Sequence, residues 1–177
     1  MLIVKDIAQF SKPTLDLESL VLALNWDAGN SDIPLYWRTG NFHRSLIEIG
    51  INENDGKLIS FTLVIADGMS PLTEIPSFLQ QVITPINYGI PVFDISRWPQ
   101  LNAYKDHFID EPETVTVYIG ESQLSILFGE VTSIQYRIVA DKVTFGVDKK
   151  NTLLIVEVAA LSDLEIKNLK QIFHYHS

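Results

Sequence analysis

The sequence predicts an α+β domain: predominantly antiparallel β-sheet, built from hairpins and a meander, with a C-terminal α-helix. Three observations carry that expectation. Apolar residues alternate at period two through most of the chain, with short polar connections between the runs. A proline-rich stretch, 71–99, separates two such regions. Residues 161–173 then change to helical spacing behind a capping signature.

In the N-terminal half, strands are expected at 2–7 (LIVKDI), 19–26 (SLVLALNW), 34–38 (PLYWR), 45–51 (SLIEIGI) and 57–66 (KLISFTLVIA). In the last pair Ile47, Ile49 and Ile51 share one face, and Ile59, Phe61, Leu63 and Ile65 answer them. The segment between them, NENDG at 52–56, is acidic and ends in glycine, so it invites comparison with a calcium loop. Such a loop needs oxygen ligands at its first and twelfth positions and glycine at its sixth. Placing Gly56 sixth puts Ile51 first and Thr62 twelfth, and both fail as ligands. Asp55-Gly56 is instead a hairpin signal, because both residues tolerate positive φ better than most.

Pro71, Pro76, Pro85, Pro91 and Pro99 exclude a long regular element from the middle of the chain. PSFLQQVI, 76–83, reads as a short helix started by Pro76. Residues 100–113, QLNAYKDHFIDEPE, read as an acidic connection or a short helix. Five strands of an antiparallel meander with one buried face follow, at 114–119, 124–128, 134–139, 142–147 and 152–160. Their inward sets are Val115, Val117 and Ile119; Leu124, Ile126 and Phe128; Ile134, Tyr136 and Ile138; and Val143, Phe145 and Val147. In the final helix Ser162 is the N-cap, Glu165 completes a capping box, and Leu161 with Ile166 forms a hydrophobic staple. Ile166, Leu169, Ile172 and Phe173 offer the apolar stripe that packs on the meander.

The hairpin at 50–70 has an echo at 146–163. Gly50 falls on Gly146, Asn52 on Asp148, Leu58 on Leu153 and Ala66 on Leu161. Duplication of a hairpin-plus-helix unit would produce this, and so would convergence, since any two hairpins share an alternating pattern. Convergence is the favoured expectation. The 177 residues fit one domain, 1–177, within which 1–70 and 113–177 are candidate sub-halves joined by the proline-rich segment 71–112.

Composition excludes several functions. The chain has no cysteine, so disulfides, thiolate catalysis and cysteine-ligated metals are absent. No apolar run approaches the roughly 20 residues that span a bilayer, and the N-terminus shows no secretory signal; the expected location is cytoplasmic. A formal charge of −9 disfavours nucleic acid and permits a basic protein partner, although the same acidity also serves plain solubility. There is no phosphate-binding glycine loop, no nucleophile elbow and no H-E-x-x-H. No cofactor or metal is expected.

The histidines give little. His174 and His176 lie in a frayed tail, and His43 is expected at a strand edge beside Arg44. His107 stands near Asp106, Asp110 and Glu111, where a carboxylate-assisted histidine suits acid–base work in a pocket. A solvated acidic loop accounts for the same residues. In LYWRT, Tyr36 and Arg38 share one strand face and Trp37 the other; these are residue types enriched at binding hot spots. A core face backed by a cation–π or stacking pair on the sheet surface accounts for them too and is the favoured reading. FDISRWP, 93–99, places Arg97 and Trp98 together in the same way.

The tail KVTFGVDKKNTLLIVEVAALSDLEIKNLK, 142–170, resembles the endings of small bacterial proteins of the toxin-immunity and uncharacterised-domain kind. The resemblance consists of an FGVD strand, a turn, an L-x-x-h-E-h strand and a capped acidic helix, and it covers those residues only. It implies an acidic, single-domain, non-enzymatic protein that binds and blocks a cognate toxin. On this reading the chain is a protein-binding domain, with Asp106, Asp110, Glu111, Glu113, Tyr36 and Arg38 as candidate partner-binding residues. A small-molecule-binding or hydrolytic β-rich domain with a pocket near His107 is the alternative.

Overall fold

Each run of alternating side chains folds as a strand. The computed structural model describes residues 1–9, 12–17, 20–26, 34–80, 85–98 and 107–173. In chain order the strands are β1 (Val4–Ala8), β2 (Thr14–Asp16), β3 (Leu22–Asn25), β4 (Leu35–Gly40), β5 (Ser45–Ile51), β6 (Leu58–Ala66), β7 (Ser70–Pro71), β8 (Ile86–Tyr88), β9 (Ile90–Phe93), β10 (Phe108–Pro112), β11 (Val115–Ile119), β12 (Leu124–Phe128), β13 (Tyr136–Ala140), β14 (Val143–Val147) and β15 (Leu153–Val158). Helix α1 (Asp163–Ile172) closes the fold, and two 3-10 turns, Leu72–Glu74 and Ser77–Gln80, lie between β7 and β8. The fold is α+β, mostly antiparallel sheet with one C-terminal helix.

Two sheets pack face to face. The first has the order β10-β4-β5-β6-β3-β2, and the second β8-β13-β14-β15-β12-β11-β7. Trp37 of the first sheet meets Phe128 of the second edge-on at 5.8 Å, and Trp26 lies 6.0 Å from Phe145. One buried cluster from Leu2 to Phe173 takes side chains from both sheets. β1 and β9 pair separately as a two-stranded ribbon.

The two sheets repeat one design. β4-β5-β6-β3-β2 and β13-β14-β15-β12-β11 are the same order, each with a parallel strand added beyond its first member. The added strands enter in the same register: Tyr36 N–H donates to the His107 carbonyl at 2.6 Å, and Arg137 N–H to the Pro85 carbonyl at 2.9 Å. Both central hairpins are irregular at the same place, between Gly50 and Ile51 and between Gly146 and Val147. Both turns open with an Asx turn, in which Asn52 Oδ1 accepts from Asn54 N–H at 2.9 Å and Asp148 Oδ1 from Lys150 N–H at 2.8 Å. Convergence of two hairpins does not account for a match across five strands, a bulge and an edge register. The echo between 50–70 and 146–163 belongs to a whole repeated unit.

Several expectations are corrected. The C-terminal strands do not form a simple meander, because β12 pairs with β15 rather than with β13. Nor does the second sheet have only one buried face: all five residues of β12 are buried, and Leu127 and Ile155 pack outward against Ile75 and Leu79. Residues 107–113, expected as a connection or helix, contain β10, whose parallel partner β4 satisfies a backbone that local sequence leaves without a clear period. Residues 100–106, including Asp106, lie outside the described residues, as do 81–84 and the tail with His174 and His176. In β6, Leu58 and Ala66 are buried while Ile59 and Ile65 are half-buried, because irregularities at both ends of the β5–β6 pairing rotate those positions. Ile134 precedes β13 and packs with the outer cluster rather than with Ile138. His43 sits in the bend between β4 and β5 rather than at a strand edge.

The NENDG segment is a turn. Gly56 has φ +79°, its N–H donates to the Asn52 carbonyl at 2.9 Å, and Asp55 Oδ1 accepts from Lys57 N–H at 3.1 Å. The capping box is present in full: Ser162 Oγ accepts from Glu165 N–H at 3.3 Å and Glu165 Oε2 accepts from Ser162 N–H at 2.6 Å. Ile166, Leu169 and Phe173 enter the common core. The helix touches both sheets, since Ile172 and Phe173 share a small cleft with Leu20 and Val64 while Lys170 lines a cavity over the second sheet.

Candidate functional site

Strand alternation sends Tyr36 and Arg38 of β4 outward while Trp37 enters the core. The parallel register sets Phe108 beside Tyr36 and Asp110 beside Arg38. Four side chains therefore meet on the outer face of the first sheet. The Tyr36 and Phe108 rings stack at 5.4 Å and 18°. The Arg38 guanidinium lies 4.5 Å above the Phe108 ring and is held there by Asp110, which accepts from Nε at 2.7 Å and from Nη2 at 2.9 Å. This fork fixes the cation over the ring. Phe108 nevertheless remains 46% exposed.

Cross-strand pairing extends the face to Glu48 of β5, directly opposite Arg38. Burial pushes the Glu48 carboxyl above its usual range, against the opposing pull of Arg38. Burial, with Glu48 nearby, also raises the Tyr36 phenol. Gly50 opposes Tyr36, and a Cβ there would come within 2.4 Å of the Ser60 hydroxyl on β6.

The predicted acidic residues separate. Asp110 belongs to this face. Glu111 points the other way and gathers three donors: the N-terminal ammonium, Trp37 Nε1 at 2.6 Å and Arg97 Nη2 at 2.6 Å. Burial raises its carboxyl, but the hydrogen bonds and positive charges together outweigh that and hold it below the ordinary range. Glu113 lies beyond the end of β10, where Gly129 leaves space for it. The charge on Asp110 and Glu111 is thus largely matched within the protein. Sequence reasoning missed Phe108 and Glu48. The outward alternation of Phe108 and Asp110 around Ile109 was the signal for the first, once the segment is read as a strand.

A second feature lies over the outer face of the second sheet. The segment 71–79 covers β12 and β15 and leaves a cavity of about 950 Å³. Arg137 and Glu157 form an ion pair at its floor, with only 10% and 14% of their side chains exposed. Arg137 Nη2 also donates to the Leu79 carbonyl at 2.7 Å, and its buried Nε has no partner. Burial pushes the Glu157 carboxyl up against the pull of Arg137. Each residue alone reads as a solvent-facing charge on an alternating strand, so neither stood out in the sequence.

His107 is 8% exposed at the start of β10, its Nδ1 has no partner, and it lines neither this cavity nor the small cleft beside Phe173. Among the described residues no three His, Asp or Glu side chains are grouped to hold a metal ion, and no helix is long and apolar enough to cross a membrane. No protein-family model matches the chain, and no curated protein matches it.

Proposed function

We propose that the chain is a non-enzymatic protein-binding domain of the immunity type, acting in the cytoplasm, which holds a basic protein partner on the face formed by Tyr36, Arg38, Phe108 and Asp110. The observation that carries this reading is the exposed Phe108 ring, held between Tyr36 and the Asp110-anchored Arg38. Aromatic and arginine side chains dominate binding energy at interfaces, and side chains already fixed in place lose little further entropy on binding. The formal charge of −9 supplies long-range attraction for a basic partner and repels nucleic acid. The immunity-type reading adds the resemblance carried by residues 142–170. The acidic residues themselves are weaker anchors than the sequence suggests, because Asp110 and Glu111 already have cationic partners.

The test is capture of a stoichiometric basic protein by the tagged chain, repeated with Phe108→Asp and Arg38→Glu. Both variants should lose the partner at temperatures well below their own melting, which falls for Arg38→Glu because a third carboxylate joins Asp110 and Glu48. Capture that survives both changes, or a wild-type chain recovered alone, removes this reading.

A further inference from the structure

From the cavity over the second sheet we infer a second binding site, for a small, uncharged molecule that lays an apolar body against Leu72, Ile86 and Val139 and turns a polar end toward the Arg137–Glu157 pair. This site is on the opposite sheet from the protein-binding face and does not depend on it. A volume of about 950 Å³ lies within the range of ligand pockets, which are mainly apolar with a few convergent polar groups. Here Leu72, Ile86, Ile119 and Val139 supply apolar wall, and the buried Arg137–Glu157 pair supplies the polar floor.

The repeat provides an internal control. The positions that match Arg137 and Glu157 in the first sheet are Tyr36 and Thr62, on strands of the same order and register. The strand arrangement therefore does not require a buried ion pair. Anchoring of the covering segment explains the Nη2 bond to the Leu79 carbonyl, and Glu157 explains Nη1. The pair is thus particular to this sheet's cavity, and a ligand lying there meets charges already matched and held in place.

Charge sets the ligand class. Arg137 and Lys170 are balanced in the lining by Glu157 and Glu121. A ligand with net charge would add an uncompensated ion beside a buried pair, whereas a neutral one leaves that balance intact.

Nile red is a suitable probe: uncharged, mostly apolar, with a carbonyl acceptor and emission that brightens and shifts blue out of water. Titrated onto the full chain, it should saturate at one site. Val139→Trp, which fills the cavity from a half-buried position, should weaken the dye on the order of tenfold or more, as expected when much of the apolar contact is lost, with melting unchanged. Phe108→Ala should leave dye binding as it is. Non-saturating fluorescence, wild-type affinity in Val139→Trp, or loss of binding in Phe108→Ala each overturns the assignment. Because the two variants lie on different sheets, failure here and failure of the protein-binding face remain distinguishable.

Discussion

Arg137 and Glu157 show how a single residue pair is weighed. Removing one member of a buried ion pair leaves the other charge uncompensated, at a cost of about 3–5 kcal/mol, whereas replacing both by apolar groups is near neutral. Glu157→Leu should therefore lower stability by about that amount in urea denaturation. Arg137→Met combined with Glu157→Leu should recover to within about 1 kcal/mol of wild type, the remainder being the lost donor to the Leu79 carbonyl. A double variant as unstable as the single one would mean that the pair contributes through packing rather than charge. Glu111 makes a pH prediction of opposite character. Its folded carboxyl lies below the ordinary glutamate value, so it favours folding above that value and loses the contribution as pH falls through the lowered folded value. Glu111→Gln should be less stable than wild type at neutral pH, and the gap in melting temperature should close on acidification. A gap that stays constant with pH would contradict the ionic account. Neither role was legible from sequence, because Glu111 and Arg97 are 14 positions apart and their meeting depends on where β10 docks.

At the scale of elements, local signals were read well where one face is apolar and the turn is short. β5, β12 and the capped helix keep the predicted residues. β10 was lost because an edge strand of the sequence FIDEP borrows its backbone partners from β4, and nothing local requires that. β9 was lost because Pro91 reads as a breaker, although it sits in a two-stranded ribbon whose other edge needs few donors. The candidate face depends on β10, so Tyr36, Arg38 and Asp110 were identified without the Phe108 ring that joins them. Two element-level changes have defined costs. Ser162→Ala removes the side-chain half of the capping box and should cost about 1 kcal/mol, read as a lower melting temperature with faster amide exchange in the first turn of α1. Gly56→Ala meets both a positive φ and the carbonyl of Phe93, to which β9 is tied by Phe93 N–H donating to the Gly56 carbonyl at 2.7 Å. It should destabilise by more than about 1 kcal/mol, because a backbone atom cannot step aside as a flexible side chain can. Gly50→Ala is the comparison: its new Cβ would press on the Ser60 hydroxyl, the end of a side chain rather than backbone, and its φ is not positive. Equal losses in the two variants would refute this distinction.

At the scale of the whole molecule, the two repeats are bound to each other by exchange. β10 follows β9 in the chain yet completes the first sheet, and β8 precedes β9 yet completes the second. The ribbon crosses over as well. β1 ties to the turn of the second hairpin, with Val4 N–H donating to the Asn151 carbonyl at 2.8 Å, while β9 ties to the turn of the first through Phe93 and Gly56. Trp37 and Trp26 of the first sheet have Phe128 and Phe145 of the second as their ring partners. A sheet alone would therefore lose an edge strand, its ribbon contact and the apolar surface that covers its inner face, a hydrophobic loss that its own ladder bonds do not replace. Unfolding should accordingly be a single transition. Trp26 and Trp37 carry ring contacts between the two sheets, so tryptophan fluorescence reports the packing of one repeat on the other, while far-UV circular dichroism reports the strands of both. The two urea curves should coincide in midpoint and slope. Fragments 1–80 and 85–177, made separately, should lack a cooperative transition, and mixing them should restore one. Resolved midpoints in the intact chain, or a cooperative melt in either fragment, would show that each repeat carries its own core and that the exchanged strands only decorate two independent units.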